Sequence, residues 1–128
     1  MTPRRRVDER GQATVELTLC LPVLALVLAV LVEVGLLVGD QVRLWHAARE
    51  TARVAVVDSD PNEIRAAAEH GGLGPLDIEI EPQFSDRSTG EPLTVTLTYR
   101  AQGHLPVLGR LISGHDMSST ATMRIEQP

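Results

Sequence analysis

The residues best placed to do chemistry stand near the start of the chain, in the sequence Gly11-Gln-Ala-Thr-Val-Glu16. Hydrolysis after Gly11 would remove a charged leader and create a new α-amine on Gln12. That amine is largely protonated near neutral pH, and Glu16 lies about one helical turn further along. Because an unpaired buried charge is costly, the amine of one chain and Glu16 of its neighbour can set the stagger of two packed helices. The pattern predicts assembly that depends on proteolysis.

The remaining polar clusters give weaker signals for catalysis or metal binding. Ser113, His115 and Asp116 are near neighbours in the sequence, whereas a catalytic triad is a spatial arrangement in which each group holds the next. A small membrane-tethered hydrolase using these three residues is therefore only a rival hypothesis. Four histidines lack metal-ligand spacing and are expected on the surface or in loops: His46, His70, His104 and His115.

Asp58, Asp60, Asn62 and Glu69 reproduce part of the spacing of a calcium-binding loop. The sixth position of such a loop requires glycine for its turn, and here it is Glu63. Helix capping explains the acidic residues better, since Asp60 precedes a proline that suits a first helical position. We therefore predict no metal or other cofactor.

An apolar run from Leu17 to Val38 is long enough to cross a bilayer core, which needs roughly 20 residues of helix. Glu33 is the only charge within it. An ionisable residue in a membrane helix is by default a functional hypothesis. Two interpretations stay open: Glu33 extends to the nearby outer surface, or it pairs with a polar group on a neighbouring membrane helix.

Charge and cysteine content narrow the function further. The net charge is −5, all twelve basic residues are arginine, and the chain beyond Val38 is acidic on balance, which is a poor match to nucleic acid. The single cysteine, Cys20, lies inside the apolar run and excludes an intrachain disulfide. With few aromatic residues, any core must be built from aliphatic side chains.

Arginines before the apolar run predict a cytoplasmic N-terminus and an extracytoplasmic remainder. They are Arg4, Arg5, Arg6 and Arg10. The run exceeds the 7–15 residues of a signal-peptide core and lacks a small-x-small cleavage site at its end. We therefore expect it to be retained as a single-pass anchor in the cytoplasmic (inner) membrane.

The helix is predicted to continue beyond the membrane, to about Val57. Small and apolar residues recur there at helical spacing on one face, on which a thin sheet can pack: Leu44, Ala47, Ala48, Thr51, Ala52 and Ala55. The opposite face is polar: Arg43, His46, Glu50 and Arg53.

A small head is expected after this helix. Period-two alternation predicts strands over 76–81 and 93–99, with a hairpin loop at 85–90 and a third strand over 118–126. A short alanine-rich helix is predicted over 64–69, and one helical turn within 105–112. The fold class is α+β, with a long N-terminal transmembrane and amphipathic helix on an antiparallel sheet of three or four strands. The segments are a leader (1–11), a transmembrane helix (12–39), its extracytoplasmic continuation (40–57) and the head (58–128).

The segment R-G-Q-A-T-V-E-L-T-L-C-L-P-V-L-A-L-V-L-A-V-L-V-E-V-G, followed by A-A-R-E-T-A-R, resembles the TadE-like family. These are minor pilins or pseudopilins of the tight-adherence (Flp-type) pilus, a branch of the type IV pili. The resemblance implies that a prepilin peptidase cleaves between Gly11 and Gln12 and that Glu16 acts in assembly. Pro22 and Glu33 match the family's L-P and V-E positions. Leu17 departs from the pattern, because related pilins often carry an aromatic residue there.

The resemblance implies a structural, non-enzymatic protein of Tad pilus assembly. Its implied partners are the membrane, a prepilin peptidase, other pilin or TadE/TadF-like subunits and the assembly platform, with no nucleic acid and no small-molecule substrate. Pro22 should bend the helix, since it leaves the carbonyl of Thr18 unbonded. The alternative is a signal-anchored extracytoplasmic binding module unrelated to pili, whose mature chain would begin at Met1 or after the apolar run.

Overall fold

The computed structural model describes residues 9–58 and 60–126. Its dominant element is one helix, α1 (Glu9–Ala55), of 47 residues, or roughly 70 Å at 1.5 Å per residue. The arginine cluster at 4–6 lies outside the described residues. The helix includes the Gly11–Gln12 bond and Glu16, and it starts a little earlier than the sequence indicated.

The helical assignment continues through Pro22, the single proline within α1. Nearby, the hydroxyl of Thr18 donates a hydrogen bond of 2.7 Å to the carbonyl of Thr14, one turn earlier. The predicted bend at Pro22 stays a prediction. Beyond the apolar run, α1 ends where Val57 and Asp58 donate their backbone N–H groups to the carbonyl of Val54.

Three antiparallel strands form the sheet, in the order β1-β2-β3: β1 (Leu76–Glu81), β2 (Pro92–Arg100) and β3 (Asp116–Arg124). Their register pairs Ile80 with Val95, and Val95 with Ala121. The α+β prediction is confirmed, with three strands. The third strand begins and ends two residues earlier than its alternation indicated.

The core lies between the outer half of α1 and the central strand. The small residues predicted to face the sheet are all buried, and Leu44, Ala48 and Ala52 are fully so. Leu93 and Leu97 of β2 pack against them with no exposed surface. Small side chains on the helix let the sheet approach closely, so a three-stranded sheet can exclude water from one face.

The other face of the sheet is polar. Threonine hydroxyls pair across β2 and β3, at 3.1 Å between Thr94 and Thr122 and at 3.2 Å between Thr96 and Thr120. This face needs no cover, because its side chains satisfy one another or meet water. The head is therefore one layer of sheet on one helix.

Two short helices complete the head. Helix α2 (Pro61–Glu69) is capped by Asp60, whose carboxylate accepts a 2.9 Å hydrogen bond from the backbone N–H of Asn62. This confirms the predicted capping role. Helix α3 (Leu108–Ile112) packs near α1, and a 3-10 turn (Phe84–Asp86) lies in the β1–β2 connection.

Candidate functional site

The predicted cleavage and assembly residues lie on the inner part of α1, where the head does not reach. Gln12 and Glu16 are exposed, and the side-chain amide of Gln12 donates to the Glu16 carboxylate at 3.3 Å. Both residues thus project from the same side of the helix, one turn apart. The geometry leaves the Glu16 carboxylate accessible to a neighbouring chain.

Glu33 has a different environment from either one that the sequence indicated. Its side chain is 1% exposed, and it accepts two backbone hydrogen bonds from the head of the same chain. The N–H of His104 donates to Oε1 at 2.8 Å, and the N–H of Leu105 donates to Oε2 at 3.0 Å. Both carboxylate oxygens thus accept hydrogen bonds from backbone amides of the same chain, 71 and 72 positions further along.

His104 adds a side-chain contact to this site. Its Nδ1 lies 4.0 Å from Glu33 Oε1, and its Nε2 lies 3.5 Å from Asp40 Oδ2. Asp40, two turns after Glu33, is 5% exposed and also lies 3.7 Å from the guanidinium of Arg43. The imidazole therefore lies between two buried carboxylates. We call these residues (Glu33, Asp40, His104 and Leu105) the Glu33 site; it attaches the base of the head to α1.

A close backbone crossing lies next to the Glu33 site. Gly103 lies against Gly109 of α3, such that a Cβ built on Gly103 would overlap Gly109 Cα. Gly109 is buried. Because side chains cannot be accommodated at this crossing, the two glycines allow residues 103–112 to fold back closely on themselves. The sequence indicated one helical turn here but not its contact with Glu33.

The far end of α1 has its own attachment to the head. Arg87 Nη1 donates at 3.1 Å to the carbonyl of Ala55, the last residue of α1, and its Nε donates at 3.4 Å to the carbonyl of Pro82. Partial burial lowers the pKa of Arg87 from its ordinary value by desolvation. A cation at the C-terminus of a helix also interacts favourably with the helix dipole. Arg87 thus attaches the β1–β2 connection to the end of α1.

The rival hydrolase residues do not form a triad. The Ser113 hydroxyl donates to the carbonyl of Gly109, while His115 Nδ1 lies 3.1 Å from the carbonyl of Ile112. Asp116 lies 3.7 Å from Arg100 instead. Each group is engaged with a different partner, so none activates the next.

The other histidines lie in two places. His46 and His70 line an open cleft between α1 and α2, and His104 belongs to the Glu33 site. Within residues 9–58 and 60–126, no three histidine, cysteine, aspartate or glutamate side chains converge in a way that would hold a metal ion. Acidic residues 58 and 60 act instead on the backbone, since Asp58 accepts from the N–H of Asp60 at 2.9 Å.

Comparison with known proteins identifies the N-terminal region. Residues 11–53 match the family model described as TadE-like protein, which confirms the resemblance inferred from the sequence. The matched segment extends from the glycine before the predicted cleavage site almost to the end of α1. No curated protein and no solved structure matches the chain.

The matched helix is also the one element, among the described residues, that is long and apolar enough to cross a membrane. Such a helix close to an N-terminus is typical of a single-pass anchor. The TadE-like match associates that anchor with a Tad-type pilus. The family match and the helix together favour a pilus-associated protein with a membrane anchor.

Proposed function

We propose that this protein is a minor pilin or pseudopilin that takes part in assembly of a Tad (Flp-type IV) pilus. In this proposal a prepilin peptidase cleaves after Gly11, and the mature chain assembles through α1. The TadE-like match supports a role in a Tad-type pilus. The exposed Glu16, one turn from Gln12, supports pairing between Glu16 and the new α-amine of a neighbouring chain. The exposure of Glu16 is the observation that carries the proposal.

The face of α1 that carries Glu16 is available for packing against other helices. The step from Glu16 to Val34 is about five helical turns, and the step from Val34 to Trp45 is about three. These residues therefore share one side of the helix, and all three are exposed. The head covers mainly the adjoining side of α1, which carries Glu33 and Leu44. The exposed side of the membrane run thus extends to Trp45 but not past the head, because Ala52 on the same side is buried.

The charge on Glu16 sets the register of such packing. Inside an apolar bundle, an unpaired carboxylate is costly, whereas a carboxylate next to a protonated amine is compensated. The only stagger that pairs every Glu16 places it beside the Gln12 amine of a neighbour. Before cleavage that amine is a peptide N–H, so unprocessed chains lack the pairing group and remain in the membrane.

The topology proposed from the arginine leader is N-terminus in the cytoplasm and head outside, in the cytoplasmic membrane. The peptidase, the assembly platform and the other pilin subunits are proposed as separate chains. Pro22 and Glu33 are also proposed to contact other subunits, because they match the family's L-P and V-E positions. For Glu33 the contact would have to form around the Glu33 site, because both carboxylate oxygens already accept backbone hydrogen bonds.

Intact mass of the membrane-extracted protein tests the proposal. Co-expression with the prepilin peptidase of a Tad system should remove residues 1–11 and give a mature chain beginning at Gln12. A matched expression without the peptidase should retain the full mass. A mature species that still carries Arg10 and Gly11 would overturn the prepilin assignment, and a start after the apolar run would favour the secreted binding module.

A further inference from the structure

The most exposed large apolar side chains among the described residues are at the base of the head. Val107 is 76% exposed and Leu111 is 75% exposed, more than any leucine or valine of the apolar run, where Leu19 reaches 69%. Both lie in residues 103–112, which we call the 103–112 segment. Two highly exposed apolar side chains about one helical turn apart at the base of the head indicate contact with something other than water.

The position of the 103–112 segment identifies what it meets. Its start is bonded to Glu33, a residue inside the apolar run and five positions before its end. Its helix α3 faces α1 across a cleft of about 150 Å³ that is lined by Val30, Val34, Leu108, Leu111 and Ile112, together with Glu33. Val30 and Val34 belong to the stretch predicted to lie in lipid. The segment therefore stands at the same depth as the outer part of the membrane span.

We propose that the 103–112 segment inserts into the outer leaflet of the bilayer beside α1, with Val107 and Leu111 in contact with acyl chains. The apolar surface of the membrane helix continues onto α3. We therefore expect lipid, rather than another protein, to cover these side chains. Arg110, exposed between them, has a side chain long enough to place its charge among the headgroups.

The local hydrogen bonding suits insertion at the interface. Backbone polar groups in lipid must be satisfied internally. The N–H groups of His104 and Leu105 donate to Glu33, that of Gly109 donates to the carbonyl of Leu105 at 2.7 Å, and that of Ser113 donates to the carbonyl of Gly109 at 2.7 Å. In return, the segment covers the Glu33 carboxylate, so that the one charge of the membrane run does not face lipid.

Site-specific fluorescence in vesicles tests the insertion. The full chain with Cys20→Ser is reconstituted in phosphatidylcholine–phosphatidylglycerol vesicles, at low protein density, with a single cysteine introduced as Leu111→Cys. The cysteine carries an environment-sensitive nitrobenzoxadiazole label. The matched control is Phe84→Cys, which replaces another exposed apolar residue, at 59% exposure, in the β1–β2 connection beside the far end of α1.

We expect the label at 111 to show blue-shifted emission and at least two-fold quenching by acyl-chain spin-labelled lipid, and the label at 84 to show neither. Equal, water-like emission at both positions would overturn the proposal. A blue shift that appears only at high protein density, without quenching by the spin-labelled lipid, would also overturn it, because it would assign the patch to a second copy of the chain. The experiment does not depend on pilus function, since it needs neither cleavage nor assembly.

A second variant links insertion to the Glu33 site. Glu33→Ala in the labelled Leu111→Cys background should reduce the quenching at least two-fold, because the segment loses both anchoring hydrogen bonds. Gly35→Ala, where an added Cβ meets no atom within 4 Å, is the control and should leave the quenching unchanged. Equal quenching in both variants would contradict the role given to Glu33.

Discussion

The two halves of α1 belong to one helix but differ in how they are buried. From Gly11 to Val32 every side chain is exposed except that of Ala29, which is partly buried. From Glu33 to Ala55 one face is covered by the head, and Leu44, Ala48, Thr51 and Ala52 have no exposed surface. The inner half therefore depends on lipid or neighbouring chains for apolar burial, whereas the outer half obtains it from its own sheet.

This difference separates assembly from folding. Changes on the inner half should affect insertion or packing between chains, with little effect on the head. Changes on the covered face of the outer half should affect the stability of the head, with little effect on membrane insertion. Glu33 stands at the boundary and belongs to both. Paired substitutions, one on each half, can test whether the division is as sharp as the burial indicates.

The largest effect is expected from Glu16→Ala, on the inner half. The variant should still be cleaved but should no longer enter assemblies, because the amine of the neighbour loses its partner. Intact mass measures cleavage, and recovery of the protein in sheared pili or cross-linked oligomers measures incorporation. Val15→Ala is the matched control and should incorporate. Normal incorporation of Glu16→Ala would refute the amine–carboxylate mechanism.

Leu97→Ala is expected to have the largest effect on head stability. Removal of a fully buried leucine from the central strand should lower the free energy of unfolding by about 2–5 kcal/mol. Leu26→Ala, a similar truncation at a 56% exposed position of the inner half, should leave the head unchanged. Amide hydrogen exchange of β2 in detergent measures both. Comparable losses would show that the two halves are one cooperative unit.

Enlarging a small residue under the sheet should also destabilise the head, but by less than truncating a core leucine. Ala48→Leu adds volume where helix and sheet touch, and overpacking should cost about 1–3 kcal/mol. Ala25→Leu on the exposed inner half should cost nothing measurable in the head. Chemical denaturation followed by circular dichroism provides the comparison. An unchanged midpoint for Ala48→Leu would mean that the close approach is not required.

The smallest effect is expected at the outer end of α1. Arg87→Ala removes two hydrogen bonds to carbonyls, including the one to Ala55, and should lower stability by about 1–2 kcal/mol. Arg53→Ala, an exposed arginine in the last turn of the same helix, is the control and should change stability by less than about 0.5 kcal/mol. The same denaturation assay applies, and equal effects would show that the attachment contributes little.

Periodicity in the sequence was sufficient for most of the fold. Alternation of apolar and polar residues located all three strands, since one face of each strand is buried and the other faces solvent. Helical spacing of small residues from Leu44 to Ala55 identified the face under the sheet. Local chemistry identified the cap of α2, because Asp60 and the proline after it act within one turn. These features depend on near neighbours in the chain.

The Glu33 site could not be inferred in this way. Its donors are backbone N–H groups, which every residue except proline supplies, so the identities of His104 and Leu105 carry no signal for them. The contact also joins positions about 70 residues apart. The sequence shows only a charge in an apolar run and, far along the chain, an apolar stretch containing Gly109. Neither feature indicates that the two are in contact. For Arg87 the partner is likewise a carbonyl, that of Ala55.

The Glu33 site also implies an order of events during membrane insertion. In the proposed topology, residues 17–38 enter the bilayer before His104 and Leu105 cross it, so the span is inserted while the Glu33 carboxylate lacks these two donors. The partner amides arrive only when a further 70 or so residues have crossed. In that topology, translocation of the head completes the membrane segment, and a chain truncated before His104 would leave in the membrane a span whose Glu33 lacks both backbone donors.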